Sequence, residues 1–215
     1  MAVAALFSAG KDSALAALLL DPFYDVVVCH CTFGVETDSD SDRPDQDTPP
    51  ADVAARAAEA LEFPFATVEL DREVAERAVE RMVADGYPRE GIQQVHEHAL
   101  EVVAGRDRLA GRDVKAVADG TRRDDRVPAV DRSVAQSLED RHDVDYVRPL
   151  AGYGRNAVDD LVARRLLVET GPSERLPTAD YETELRALIA RDSGPETVAE
   201  IFPDHTQSRV VGRRE

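Results

Sequence analysis

The first turn of the chain has residue types that bind phosphate. An apolar run at residues 3–7 enters this turn, and an Ala- and Leu-rich helical pattern leaves it. The turn consists of Ser8, Ala9, Gly10, Lys11, Asp12 and Ser13. A turn from a buried strand into a helix directs unpaired backbone N–H groups and the positive helix end at one point, where phosphate binds. It is not a Walker A loop, because Asp12 separates Lys11 from Ser13. The alternative is an ordinary strand-to-helix turn capped by Ser8 or Asp12.

A second polar stretch follows a predicted strand at residues 114–118. It contains Asp119, Gly120, Thr121, Arg122, Arg123, Asp124 and Asp125. Gly120 permits a tight exit, Thr121 offers a hydroxyl, and the arginine pair can hold phosphate oxygens in bidentate fashion. Asp124 and Asp125 could hold Mg²⁺, which prefers carboxylates together with substrate phosphates. The alternative is a solvated turn whose local ion pairs contribute little.

Two cysteines and two histidines have spacings that argue against a metal site. Cys29 and Cys31 lie two apart in a predicted strand, so they share one face, and we expect both to be buried structural residues. A persulfide role in sulfur transfer is the alternative. His96 and His98 lie two apart in a predicted helix and therefore diverge. We expect both at the helix surface or at an interface.

Composition predicts an acidic protein that works inside the cell. The 215 residues carry 43 acidic and 26 basic side chains, giving a net charge of −17, and Lys11 and Lys115 are the only lysines. This composition resembles that of salt-loving archaea, and the charge argues against simple nucleic-acid binding without a local arginine patch. With two cysteines and no apolar stretch approaching the roughly 20 residues that span a bilayer, we expect a cytoplasmic protein without structural disulfides.

Alternating elements predict a Rossmann-like α/β fold. Strands are predicted at residues 3–7, 25–33, 66–70, 114–118 and 145–147, and helices at 14–20, 51–61, 73–84, 92–103, 134–141, 156–169 and 181–191. This order favours a three-layer α/β/α sandwich with a mainly parallel five-stranded sheet and function at the carboxyl strand ends. We predict a nucleotide-binding domain at residues 1–152, with a mobile acidic loop at 36–50. A small helical extension at 153–215 would pack on or cap it.

The polar tail of this extension could also reach the predicted site. His205, Gln207, Ser208 and Arg209 follow an apolar Phe202-Pro203 pair. We expect this tail to fold back as a lid or substrate clamp.

The first turn resembles the Ser-Gly-Gly-x-Asp-Ser signature of the PP-loop ATP pyrophosphatases, with Ala9 where the second position is usually Gly. Residues 119–128, 136–141, 148–150, 180–182 and 207–210 extend the resemblance to an archaeal PP-loop family. That family is described as a predicted subunit of tRNA thiouridylate-modifying enzymes and is grouped with the adenine nucleotide alpha hydrolase-like proteins. The resemblance covers nearly all of the chain except residues 36–50.

The resemblance implies an ATP site in which the loop holds the β and γ phosphates while the α phosphorus is attacked. Residues 8–13 and 119–121 would bind the nucleotide, and the strand end at Cys31, Thr32 and Phe33 would contact adenine. The implied catalytic residues are Lys11, Asp12, Arg122 and Arg123. Asp12, Asp124 and Asp125 are the implied Mg²⁺ ligands.

The predicted function is adenylation of a substrate with release of pyrophosphate, followed by amidation or thiolation, in tRNA modification. The alternatives are a nucleotide-binding subunit or sensor without turnover, and hydrolysis of ATP at the α phosphate without transfer. A tRNA, held by arginines or by a partner protein, would supply the acceptor. A homodimer is one option for assembly.

Overall fold

The computed structural model describes residues 1–36, 48–173 and 175–214. The strands are β1 (Ala2–Leu6), β2 (Asp25–Thr32), β3 (Phe65–Glu69), β4 (Arg108–Leu109), β5 (Arg112–Ala118), β6 (Asp145–Val147), β7 (Leu166–Pro172) and β8 (Thr206–Arg213). The helices are α1 (Lys11–Leu20), α2 (Pro50–Ala60), α3 (Arg72–Asp85), α4 (Arg89–Ala104), α5 (Arg132–His142), α6 (Arg155–Arg165), α7 (Tyr181–Ser193) and α8 (Pro195–Ile201). No helix in these ranges is long and apolar enough to cross a membrane.

The central sheet is parallel and has the order β3-β2-β1-β5-β6. Short β4 pairs antiparallel with the start of β5. Strands β1 and β2 are apolar on both faces, as expected for strands covered by helices on each side. Because β1 and β5 are neighbours, the turns that follow them lie side by side at the carboxyl edge of the sheet.

Two apolar cores lie on opposite faces of the sheet. One face packs against α3, α4 and α7, and the other packs against α1, α2 and α6. Cys29 and Cys31 are both buried in the first core, so the prediction that they share one packing layer is confirmed. The predicted three-layer α/β sandwich is likewise confirmed.

The C-terminal segment contains strands that the sequence pattern did not predict. The helix predicted at 156–169 ends at Arg165, and β7 begins at Leu166 and pairs antiparallel with β8. Leu166 and Val210 join the second core, whereas Leu185 and Ile189 of α7 join the first. The segment therefore contributes to both faces of the sheet. Most of the acidic loop predicted at 36–50 lies outside the described residues.

Candidate functional site

The turn between β1 and α1 exposes unpaired backbone amides. Ala9 has a φ of +58°, a left-handed conformation that directs the chain sharply into the helix. Gly10 caps α1 without a side-chain hydrogen bond. In the described part of the chain, the amides of Gly10, Asp12 and Ser13 have no acceptor. The turn is therefore a group of N–H donors at a positive helix end, the arrangement that binds an anion.

Side-chain and backbone bonds hold this turn in place. The Oγ atoms of Ser8 and Ser13 lie 3.2 Å apart, and the Ser8 amide donates to Ser13 Oγ at 3.3 Å. The carbonyl of Ser8 accepts from the amide of Ala179, and that of Ala9 accepts from the amide of Val210 at 2.8 Å. Elements distant in sequence thus stabilise the left-handed conformation of Ala9, which would otherwise be unfavourable for alanine.

The two predicted phosphate-binding segments lie in direct backbone contact. A Cβ atom added to Gly120 would lie 2.8 Å from both the N and Cα of Ser13. Glycine is required here because no side chain fits between the two backbones. The expectation that the ends of β1 and β5 face one crevice is confirmed.

Asp12, Arg122 and Asp125 form a charged group beside the turn. The Arg122 guanidinium donates to Asp125 Oδ1 at 2.6 and 3.0 Å, and its Nη1 lies 3.5 Å from Asp12 Oδ2. Asp12 Oδ1 is buried and has no hydrogen-bond partner among the described residues. Burial raises the pKa of Asp12, while Arg122 and Lys11 oppose that shift. A buried carboxylate oxygen without a donor fits a cation.

This geometry is compatible with Mg²⁺. No group of three or more metal-ligating side chains occurs in the described ranges. An ion held together with nucleotide phosphates needs only one or two carboxylates from the protein. Asp12 can supply one, and Asp125, on the other side of the Arg122 guanidinium, can supply the second. The predicted Mg²⁺ site stays a prediction.

Arg123, Asp124 and Lys11 are turned toward α6. Arg123 Nε donates to Asp124 Oδ1 at 3.0 Å, and this pair lies against Gly154 at the start of the helix. The Lys11 ammonium forms an ion pair with Asp159 of α6. Among the described residues, neither Arg123 nor Asp124 bonds to the turn at 8–13, whereas Arg122 lies beside it.

Asp119 and Thr121 face inward, into a buried hydrogen-bond network. Asp119 Oδ1 accepts from the amide and hydroxyl of Thr121 at 2.9 and 2.6 Å. Its Oδ2 lies 2.9 Å from His96 Nε2 and accepts from the Tyr146 hydroxyl at 2.6 Å. Arg148 Nε donates to Thr121 Oγ1 at 3.0 Å. The network fixes the turn that follows β5.

The prediction that His96 lies at a helix surface is wrong. Its side chain is buried, because α4 packs the stripe containing Ile92, Leu100 and Val103 onto the sheet and His96 lies on that stripe. The sequence contained a signal for this burial, because Ile92 and Leu100 lie four residues before and after His96 and therefore on the same helix face. His98 is half-buried and its Nε2 accepts from the Asp71 amide at 3.3 Å.

The end of β2 is bound by a glutamate that sequence reasoning missed. Glu184 of α7 is buried, and its carboxylate accepts from the amides of Phe33 and Val35 at 3.0–3.1 Å and from Thr32 Oγ1 at 2.8 Å. The amide of Phe33, predicted to contact adenine, therefore already has an acceptor. No local sequence signal marks Glu184, because its partners lie about 150 residues away.

A cleft of about 680 Å³ opens beside the turn. It is lined by Ser8, Asp12, Ser13, Gly120 and Asp125 at its polar side, and by Phe7, Cys31, Ile92, Tyr181 and Phe202 at its apolar side. A pocket with polar groups at one end and an apolar wall at the other suits a small molecule with a charged and a ring portion. Burial raises the pKa of the Cys31 thiol to about 12, so this wall carries a neutral thiol at pH 7.

The polar tail contacts the turn directly. Ser208 Oγ accepts from the Lys11 amide at 3.2 Å, and His205 lies at the cleft 3.7 Å from Glu182. The tail reaches the site as part of β8. Whether it acts as a lid or clamp stays a prediction.

The fold and the strand-end cleft define a Rossmann-like α/β protein. The sequence model of the Family of unknown function (DUF7411) matches residues 1–212, and the chain belongs to that family. An uncharacterised protein of Methanocaldococcus jannaschii is 36% identical over 214 residues, which cover 99% of this chain and 96% of that protein.

Two solved structures are similar to the chain. The crystal structure of a predicted subunit of tRNA methyltransferase from Methanocaldococcus jannaschii superposes with a TM-score of 0.82 at 34% identity, covering 100% of this chain and 98% of that one. The U34-tRNA thiolase NcsA of Methanococcus maripaludis gives a TM-score of 0.43 at 16% identity, covering 94% and 69%. At that TM-score the second likeness supports no inference.

Proposed function

We propose that this protein is an ATP-binding PP-loop enzyme that adenylates a substrate and releases pyrophosphate, in tRNA modification. The observation that carries the proposal is the turn at residues 8–13, which has unpaired amides and a left-handed Ala9 and which lines the cleft with Ser8, Asp12 and Ser13. Such a group of donors binds phosphate oxygens without requiring a particular side chain. The apolar wall beyond it offers space for the nucleoside.

The side chains around the turn would stabilise charge on leaving pyrophosphate. Arg122 is held in place by Asp125, so its guanidinium needs little reorganisation to meet a phosphate. Lys11 would leave Asp159 and turn to the phosphates. Mg²⁺, where bound at Asp12, supplies charge neutralisation for the phosphate oxygens. Catalysis then depends on positioning and electrostatics, and no nucleophile from the protein is required.

The tRNA part of the proposal draws on the similar structure described as a predicted tRNA methyltransferase subunit. The surface charge of this chain is unfavourable for RNA, but Arg89 and Arg126 line the cleft and form no ion pair within the described ranges. A tRNA would approach through these arginines or through a partner protein.

A nucleotide-binding subunit without turnover is the second candidate. The observation in its favour is the orientation of Lys11, whose ammonium pairs with Asp159 and whose amide donates to Ser208. In this arrangement the cation most suited to stabilise a leaving group faces away from the cleft.

Incubation with ATP labelled at the α phosphate, Mg²⁺, unfractionated tRNA and ammonium or sulfide tests the proposal, with labelled AMP and unlabelled pyrophosphate measured separately. We expect AMP and pyrophosphate from the unmodified protein and at least a hundredfold loss in Asp12→Asn and Lys11→Ala. Lys115→Ala is the matched control, because Lys115 is the other lysine and is exposed on β5. Tight ATP binding with no products would favour the binding subunit, and no binding would contradict both.

A further inference from the structure

His96 occupies an unusual position for a histidine on a core-facing helix. It is 5% exposed, yet it lines the cleft together with Ser8 and Asp12. The ring of Tyr181 packs edge-on against it, with centroids 6.3 Å apart. One side of the imidazole is thus held by the core while the other borders the space where a ligand would lie.

Asp119 fixes which nitrogen of His96 carries the proton. Burial alone would raise the pKa of Asp119, but the hydrogen bond from His96, the positive charge that His96 carries when protonated, and hydrogen bonds from Thr121 and Tyr146 outweigh burial and hold the pKa at about 2. The carboxylate is therefore ionised, so in the 2.9 Å contact its Oδ2 accepts a hydrogen bond and Nε2–H donates it. In a neutral imidazole this leaves the lone pair on Nδ1.

Nδ1 of His96 has no hydrogen-bond partner in the described ranges and is not completely buried. Since His96 lines the cleft, we infer that Nδ1 borders this space. Gly120, the next residue after Asp119, touches the backbone of Ser13. The His96–Asp119 hydrogen bond and the close approach of Gly120 to Ser13 therefore connect His96 to the turn at residues 8–13. Both His96 and the turn line the same cleft.

We propose that His96 is the general base of the transfer step, a proposal that rests on the adenylating function argued above. In that step a nitrogen or sulfur nucleophile forms a bond to the carbon that carries the adenylated oxygen. The C–O bond breaks, AMP leaves with the bonding electron pair, and the proton of the nucleophile passes to His96 Nδ1. An imidazole whose far nitrogen is held by a carboxylate is oriented for this transfer.

Holding the turn after β5 in place does not require His96, because the other contacts of Asp119 already do so. The amide and hydroxyl of Thr121 and the hydroxyl of Tyr146 already provide three donors that fix the turn. The histidine adds a basic nitrogen on the cleft side, which the turn does not need. This difference separates the two roles experimentally.

The test uses His96→Gln, which keeps an N–H donor for Asp119, and His98→Gln as the matched control on the same helix. With labelled ATP and unfractionated tRNA, pyrophosphate release in a single turnover should be unchanged in both variants. After addition of ammonium or sulfide in separate arms, AMP release should fall at least a hundredfold in His96→Gln alone. Label should then accumulate as adenylated, acid-precipitable tRNA.

A second measurement does not depend on turnover. Nitrogen NMR of the histidine-labelled protein should show the proton of neutral His96 on Nε2, and Asp119→Asn should change that tautomer. A proton on Nδ1, or equal AMP release from His96→Gln and the unmodified protein, would overturn the role of His96 alone. Absence of pyrophosphate release from the unmodified protein would overturn the adenylating function, and the general base with it.

Discussion

Single residues determine whether the turn at 8–13 keeps its shape. Ala9 stands where the resembled signature has glycine, and its left-handed conformation costs about 1 kcal/mol more than glycine would. The side chain is buried, and the carbonyl of Ala9 is bound by β8. Tertiary contacts thus compensate for the unfavourable residue type, so the departure from the signature leaves the turn intact.

Gly120→Ala should disrupt the contact between the turns that follow β1 and β5. The added Cβ would lie 2.8 Å from backbone atoms of Ser13, which cannot move without deforming the turn. We expect a loss of about 1–3 kcal/mol in the free energy of unfolding, measured by urea denaturation. Gly152→Ala is the control, because a Cβ there meets nothing within 4 Å. Equal stabilities for the two variants would contradict the close backbone approach.

Glu184→Ala should destabilise the end of β2. The substitution leaves the buried amide of Phe33 and the partly buried amide of Val35 without their acceptor, and a buried unsatisfied group costs about 1–3 kcal/mol. Glu184→Gln keeps one carbonyl oxygen and should lose less. Hydrogen exchange of the Phe33 and Val35 amides reports the change directly. Unaltered protection in Glu184→Ala would show that other acceptors serve these amides.

Helices and strands whose signals are local in the sequence were predicted, whereas those that depend on distant partners were not. The strand–turn–helix at residues 3–20 and the polar end of β5 carry their own signals, in apolar runs and turn residues. The β7–β8 pair was not predicted, because Leu166-Leu167-Val168 continues the apolar pattern of α6 and its partner strand lies about 40 residues away. For the same reason the contacts of Glu184, Ser208 and Asp159 with the turns could not be predicted.

Helix α6 controls where the Lys11 side chain points. In the proposed function, Asp159, which pairs with Lys11, would compete with a phosphate for the Lys11 ammonium. Asp159→Asn should therefore strengthen binding of ATP by a few-fold, since exposed ion pairs contribute up to about 1 kcal/mol. Isothermal titration with ATP and Mg²⁺ measures the change, and Asp160→Asn on the same helix serves as control. Weaker binding in Asp159→Asn would show that Asp159 supports the nucleotide site instead.

At the scale of the whole molecule, the C-terminal segment is inseparable from the two cores. Val210 is buried in one core, and Leu185, Leu188 and Ile189 are buried in the other. Removing the chain after Ile201 would therefore expose apolar surface as well as delete the polar tail. A substitution at Ser208, which removes one hydroxyl from the turn, is the sharper test of the tail.

The buried His30 should make the stability of the molecule depend on pH. His30 is 1% exposed, neither ring nitrogen is within hydrogen-bonding geometry of a partner in the described ranges, and burial lowers its pKa to about 4 against a smaller opposing effect of the Ala179 backbone. Between pH 6.5 and 4 the unfolded chain binds a proton at this residue and the folded chain does not. Its contribution to the free energy of unfolding is thus complete above pH 6.5 and falls by up to about 3 kcal/mol as pH drops to 4.

Replacement of this histidine isolates its contribution from that of other groups. Burial raises the pKa of Asp180 to about 6, so Asp180 acts in the opposite sense over much of the same range. The contribution of Asp180 is present in both His30→Gln and the unmodified protein, so it cancels when their free energies of unfolding are subtracted. Urea denaturation at pH 4.5, 5.5, 6.5 and 7.5 should show a smaller decrease in the free energy of unfolding toward low pH in His30→Gln. Any change in stability that is the same at every pH does not affect this comparison. Parallel curves for the two proteins would mean that His30 is protonated in the folded state as easily as in the unfolded chain.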